Sequence, residues 1–436
     1  MDRRKTGSKT KYDPRHDKRK SCFHYTKLDP NDLELSRSHH RYTFSKTPDK
    51  ISRVTTRQSL AQLAVLFLRL GATAFGGPAA HIAMMRSETV DRRGWLTDTE
   101  FLDLIAATYL IPGPNSTEMA IHIGFRRGRL LGLAIAGLCF ILPSSLIVGT
   151  IAWGYTKFGD TPQVSWLMYG IGPVVVAIIL QAVWKLGRAA ITNTGRLGLA
   201  ITVATLSLVG VNELVLLAGG ALVFAVSRRI WSAALSSLLA TIAGGSVVVA
   251  AMTPLALTVP VTLTKLTLFF VKVGSVLFGS GYVLLAFLRA DLVEQWGWLT
   301  EQQLIDAITV GQVTPGPVLT TATFIGYLLH GWLGAALSTI AIFLPGFIFV
   351  TITQPLIPRL RKSLLASALL DGVVVASLGL MGAVTWHLVP ATVIDVPSAI
   401  IAVGSAVALA MWSPNSTWLI LAGATVGWIL QSWELV

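Results

Sequence analysis

Residues 94–114, GWLTDTEFLDLIAATYLIPGP, return 203 positions later as residues 297–317, GWLTEQQLIDAITVGQVTPGP. Extended leftward to Gly71 and Gly274, 15 of 44 aligned positions are identical. They include Phe75/Phe278, Gly76/Gly279, Arg86/Arg289, Asp103/Asp306 and both Pro-Gly-Pro triplets. Rightward, after one gap, Gly124/Gly326, Gly132/Gly334 and Pro143/Pro345 keep the register. The chain is an internal duplication. Each copy places two prolines and a glycine between apolar flanks. Proline removes a backbone donor and disfavours helix in the residue before it. Irregular backbone at membrane depth is tolerated only where it is buried in protein or lines a cavity.

Composition identifies the solvent as lipid. Of 436 residues, 53% are hydrophobic and 13% charged, against about 25% charged in soluble domains; mean hydropathy is +0.64. Apolar runs such as 130–153 and 164–184 are long enough to cross a hydrocarbon core of about 30 Å as helices. The alternating strands of a β-barrel are absent. The expected fold is an all-α polytopic membrane protein of two homologous halves, as inverted-topology repeats with broken or re-entrant helices. Secondary transporters commonly use that plan, with the substrate site at the repeat interface.

Four segments follow. Residues 1–57 hold 16 Lys/Arg and 7 Asp/Glu of a chain whose net charge is +13. They read as a basic, disordered cytoplasmic tail that anchors topology rather than a secretory signal. Residues 58–230 form the first repeat, 231–253 a linking transmembrane helix, and 263–436 the second repeat. Folding the chain back at Phe75–Pro78 and at Pro112–Pro114 returns Arg86, Arg92, Arg93, Arg126, Arg127 and Arg129 to one side. That satisfies the positive-inside rule and predicts an inside N-terminus and an outside C-terminus in a multi-pass inner (plasma) membrane protein.

The breaks carry the first chemical reading. Gly76, Gly77 and Pro78 end one helix. Pro112, Gly113 and Pro114, with Pro315, Gly316 and Pro317, interrupt two others. A helix starting after Pro114 presents free N–H groups at a positive dipole end. Asn115, Ser116 and Thr117 add neutral donors there, and Thr320 lies at the matching place in the second copy. Helix capping by the same residues is the plainer alternative. Arg69 and Lys272 are repeat equivalents at membrane depth, where an ionisable residue marks a functional site by default. They are expected to face one another across a central anion, with snorkelling as the alternative. Arg86 joins the substrate-binding set, and His81 serves the first hairpin. Glu88 matches Asp291. Glu118 and His122, four apart on one helix face, are candidates with Glu88 for a proton coupled to transport.

No GxxxxGK[ST], HExxH or GxSxG pattern occurs, so neither ATP hydrolysis nor the corresponding hydrolases are indicated. The two cysteines, Cys22 and Cys139, have no metal spacing. No catalytic residue, cofactor or metal is expected. The partners expected are an oxyanion and the bilayer, with no nucleic acid; a homodimer is left open.

FGGPAAHIAMMRSETVDRRGWL, IPGPNSTEMAIHIG and the weaker second copy ending in TPGP resemble the chromate ion transporter family, long-chain bidomain type, over about residues 58–436. The resemblance implies efflux of chromate from the cytoplasm, resistance to it, and use of the proton-motive force rather than ATP. It carries over most directly to Phe75–Pro78, Arg86, Glu88, Trp95 and Pro112–His122. The second copy departs from the pattern where Asn115, Ser116 and Glu118 become Val318, Leu319 and Thr321. Sulfate or molybdate would fit the same chemistry. A membrane-embedded enzyme and a scaffold are the remote alternatives.

Overall fold

The computed structural model describes residues 56–109, 111–158, 161–230, 260–278, 283–353, 364–412 and 414–433. Residues 1–55 of the basic tail and the linking helix at 231–253 lie outside the described residues. The first half comprises α1 (Thr56–Thr73), α2 (Gly77–Arg86), α3 (Asp98–Thr108), α4 (Asn115–Phe158), α5 (Pro162–Ala190), α6 (Thr194–Leu208) and α7 (Glu213–Ile230). The second comprises α8 (Leu263–Val276), α9 (Leu284–Phe287), α10 (Glu301–Val313), α11 (Thr321–Thr353), α12 (Leu364–Thr392), α13 (Val396–Met411) and α14 (Ser416–Trp433). Among the described residues no strand occurs, and α4, α5, α11 and α12 supply four helices long and apolar enough to cross a membrane.

The halves match in local detail. α2 runs into a π-helical segment at Ser87–Arg92, and α9 into one at Leu288–Gln295. Glu88 and its equivalent Asp291 both sit on these wide turns. Capping boxes then start α3 at Thr97/Glu100 and α10 at Thr300/Gln303. Both long helices bend sharply at one place, Gly128–Arg129 in α4 and His330–Gly331 in α11. Each is therefore a half-helix followed by a full span. The two arms touch backbone to backbone: a Cβ on Gly124 would lie 2.3 Å from the Gly132 carbonyl, and one on Gly326 would lie 2.3 Å from that of Gly334. Lipid gives helices little hydrophobic reason to associate, so close approach through small residues holds such arms together. The breaks at Pro112–Pro114 and Pro315–Pro317 are consequently the tips of hairpins.

Equivalent helices run antiparallel. Tyr169, early in α5, donates to Asp395 at the N-cap of α13, beyond the end of α12, at 2.8 Å. Arg196, beyond the end of α5, donates to Asp371 early in α12 at 2.8 Å. Tyr169 and Asp371 hold equivalent positions, and both contacts reach the first turn of the opposite half's next helix. A two-fold axis along the membrane normal would make α5 and α12 parallel. The observed antiparallel pair requires the axis to lie in the membrane plane, which is the inverted-repeat arrangement.

Candidate functional site

At the centre the two breaks interlock. The Gly113 N–H donates to the Leu277 carbonyl at 2.5 Å, and the Gly316 N–H to the Ala74 carbonyl at 2.9 Å. Gly113 and Gly316 are repeat equivalents, as are Ala74 and Leu277. Each hairpin tip is thus tied to the end of the other half's first helix. His81 Nε2 also donates to the Ala74 carbonyl, at 3.0 Å, which places the proton on that nitrogen. Among the described residues the Leu277 carbonyl has no such second donor; Leu284 stands where His81 stands in the first half.

Beyond the shared architecture the tips diverge. In the second half the hydroxyls are committed locally. Thr314 donates to the Val310 carbonyl at 2.8 Å, Thr321 to that of Val318 at 2.9 Å, and Thr320 to that of Pro317 at 2.8 Å. Thr320 also accepts from Ser144 Oγ of the other half at 3.1 Å. The first half differs. Asn115, Ser116, Thr117 and Glu118 are all buried. Asn115 Oδ1, Thr117 Oγ1 and both Glu118 carboxyl oxygens have no hydrogen-bond partner. Thr117 is the equivalent of Thr320. The residue equivalent to Ser144 is Gly346, around whose Cβ position there is open space. An unsatisfied buried polar group costs about 1–3 kcal/mol, so four such atoms on one helix turn mark a place kept for a ligand or a proton. Glu118 lies over the break itself: a Cβ on Gly113 would be 2.3 Å from Glu118 Oε1. His122 is buried one turn along, and the Glu118 carboxyl does not bond to it.

The expected meeting of Arg69 and Lys272 across one anion is corrected by the structure. Arg69 Nη2 lies 2.5 Å from Glu88 Oε1, and Lys272 Nζ lies 2.5 Å from Asp291 Oδ2. Each cation lines its own concavity, Arg69 with Met84 and Arg92, Lys272 with Leu268 and Trp296. An in-plane two-fold sends equivalents that lie off the axis to separate places. Arg86 is also removed from the centre, since it pairs with Asp91 at 3.3 Å and with Asp98 on the surface. Around Glu88 the cations outnumber the carboxylate: Arg92 is 2.8 Å and Arg93 3.4 Å away, besides Arg69. Arg92 and Arg93 have no cationic equivalents in the second half, where Gln295 and Trp296 stand.

Sequence reasoning missed a second polar region. Asp306 is buried, and Tyr155 of the other half donates to its Oδ2 at 2.6 Å while Gln302 donates to Oδ1 at 2.9 Å. These residues line a cavity of about 290 Å³ between the halves, with Ser165, Tyr169 and Thr392. Spacing alone signalled it: Gln302, Asp306, Thr309 and Gln312 recur every three or four residues, a polar face on an otherwise apolar helix. Among the described residues no group of three His, Cys, Asp or Glu is placed to hold a metal ion.

Comparison with known proteins gives this architecture a family. The chain matches the family described as "Chromate transporter" twice, over residues 61–225 and 264–428, which are the two structural halves. It is 33% identical to a chromate transport protein of Cupriavidus metallidurans over 382 residues, covering 84% of this chain and 92% of that one. Similarity to a chromate transport protein of Pseudomonas aeruginosa is 32% over 409 residues, 88% of this chain and 97% of the relative. A probable chromate transport protein of Synechococcus elongatus is 33% identical over 363 residues, 82% and 91%. No solved structure matches the chain. Two family matches that fall on two interlocked, inverted halves identify this multi-pass membrane protein as a member of the chromate transporter family.

Proposed function

We propose that the protein is a secondary transporter that moves chromate out of the cytoplasm across the plasma membrane and so confers resistance, with its N-terminus inside. One observation carries this reading: the unpartnered buried Thr117 hydroxyl, a donor, beside the unpartnered Glu118 carboxyl at a half-helix N-terminus, where the Thr320 and Thr321 hydroxyls of the other half are already bonded. A tetrahedral dianion is accommodated there by backbone N–H groups, the Asn115 amide and the Thr117 hydroxyl, without a full buried counter-charge. An ionised Glu118 would repel it, so Glu118 carries a proton while the anion is bound. The Arg69, Arg92 and Arg93 cluster around Glu88 keeps an excess of positive charge and draws anions to the first half's entrance. Lys272, paired with Asp291 and sharing its concavity with Lys265, serves the opposite end. Export of a dianion from a negative-inside cell is favoured by about 2.3 kcal/mol per charge per 100 mV, so potential supplies much of the drive.

Accumulation of labelled chromate in inverted membrane vesicles tests the proposal. Uptake is expected on imposing a potential positive inside the vesicle. A ten-fold excess of sulfate is expected to leave most of it intact. Complete competition would assign a sulfate-type carrier, and no accumulation would remove the transport reading. Arg92→Ala is expected to raise the apparent KM several-fold at low salt and far less in concentrated salt, where exposed charges are screened.

A further inference from the structure

We infer that Asp306 is a proton-binding site of the transport cycle, loaded from the cavity it shares with Tyr155. The inference rests on the transport reading above and adds the coupled ion and its point of entry.

Three observations converge. Asp306 is 2% exposed yet lines a cavity of about 290 Å³, so a buried carboxyl borders a space large enough to hold water. Its hydrogen bond to Tyr155 crosses from one half to the other, so its protonation bears on how the halves are held. On α10 the polar face continues inward from Asp306 through Thr309, whose buried hydroxyl has no partner, and Gln312, ending beside the second break. The first half has nothing comparable: Thr99, Asp103, Ala106 and Tyr109 stand at the equivalent places, and Asp103 and Tyr109 are exposed. Buried polar groups lined up along a membrane helix mark an ion pathway.

The chemistry selects a proton. A dianion is excluded by the carboxylate, and the phenol donors that would greet it are already given to Asp306 and, from Tyr169, to Asp395. A metal cation would find one carboxylate whose oxygens both face hydrogen-bond donors. A proton needs only rotation of the Tyr155 hydroxyl from donor to acceptor. The other titratable groups facing the cavity are Tyr155 and Tyr169, whose phenols ordinarily stay protonated until about pH 10, and Asp395 beyond Tyr169. In the proposed topology this cavity opens outward, where the proton gradient places its high side.

The experiment is chromate-evoked proton movement in proteoliposomes, read with an internal pH indicator while potential and pH gradient are clamped separately. Wild-type protein is expected to move protons with chromate. Asp306→Asn is expected to lose at least ten-fold of that proton signal and Asp306→Glu to recover it, with unchanged monodisperse elution certifying the fold. Tyr155→Phe removes a donor that favours the ionised form, so the pH profile of transport is expected to shift to higher pH. Wild-type proton movement in Asp306→Asn, or an unmoved profile in Tyr155→Phe, overturns the inference. So does chromate transport by the wild type driven by a sodium gradient and indifferent to pH. Absence of any chromate movement by the wild type would sink the transport reading itself.

Discussion

Arg129 turns the chain between the two arms of α4 with φ 54° and ψ −139°, and it is the one non-glycine residue with positive φ among the described residues. Its equivalent is Gly331, at φ 58° and ψ −151°. Side chains rarely tolerate this region, and holding one there costs of order 1–3 kcal/mol. Arg129→Gly is therefore expected to raise stability by about 1 kcal/mol, seen as a higher thermal midpoint in detergent, and Gly331→Arg to lower it by at least as much. Gly346 gives a functional counterpart. A serine there copies Ser144, which donates to Thr320, and would satisfy the equivalent Thr117. Gly346→Ser is expected to keep the fold and raise the KM for chromate several-fold, because the added hydroxyl can also accept the proton that Thr117 would otherwise donate to the anion.

At the level of elements, the hairpin of α4 depends on contact between Gly124 and Gly132. Gly124→Val places its Cβ against a carbonyl, and overpacking of this kind costs typically 1–3 kcal/mol. A clear fall in thermal midpoint and in the yield of monodisperse protein is expected, with Gly326→Val behaving alike. Thr97→Ala removes the cap of α3 and is expected to cost about 1 kcal/mol. The helix breaks were legible in the sequence because their cause is local: prolines and glycines break a helix wherever it runs. The duplication likewise announced that both copies share them. What remained hidden was long-range. The acceptor for the Gly113 N–H is Leu277, in the opposite copy, and no local pattern names it. Arg69 and Lys272 are equivalent in sequence, but equivalence under an in-plane axis separates all but the residues nearest that axis. Asp306 went unplaced because its partner, Tyr155, comes from the half where Asp103 is exposed.

For the whole molecule, the antiparallel pair of α5 and α12 fixes the sidedness of everything else. A reporter fused after Val436 is expected on the face opposite the N-terminus, checked by labelling in intact cells. The pair is latched differently at its two ends. At the Tyr169 end, the Ser398 hydroxyl and backbone N–H, followed by the Tyr169 hydroxyl, hold the Asp395 carboxyl below its usual range. A depressed carboxyl contributes stability above its ordinary pKa of about 4 and loses it as pH falls through the folded value. Asp395→Asn is thus expected to lower the thermal midpoint at pH 7, a difference that closes in acid. The interlock at the centre has a mechanical consequence. The Gly113 and Gly316 bonds are exchanged by the same two-fold operation, so they act as a pair of meshed teeth. Any motion that respects the symmetry loads both equally and leaves the two faces alike. To open one face while sealing the other, the halves must adopt different shapes. The residues after the two prolines differ, Asn-Ser-Thr-Glu in one tip and Val-Leu-Thr-Thr in the other, so the two teeth are unequal before any motion begins.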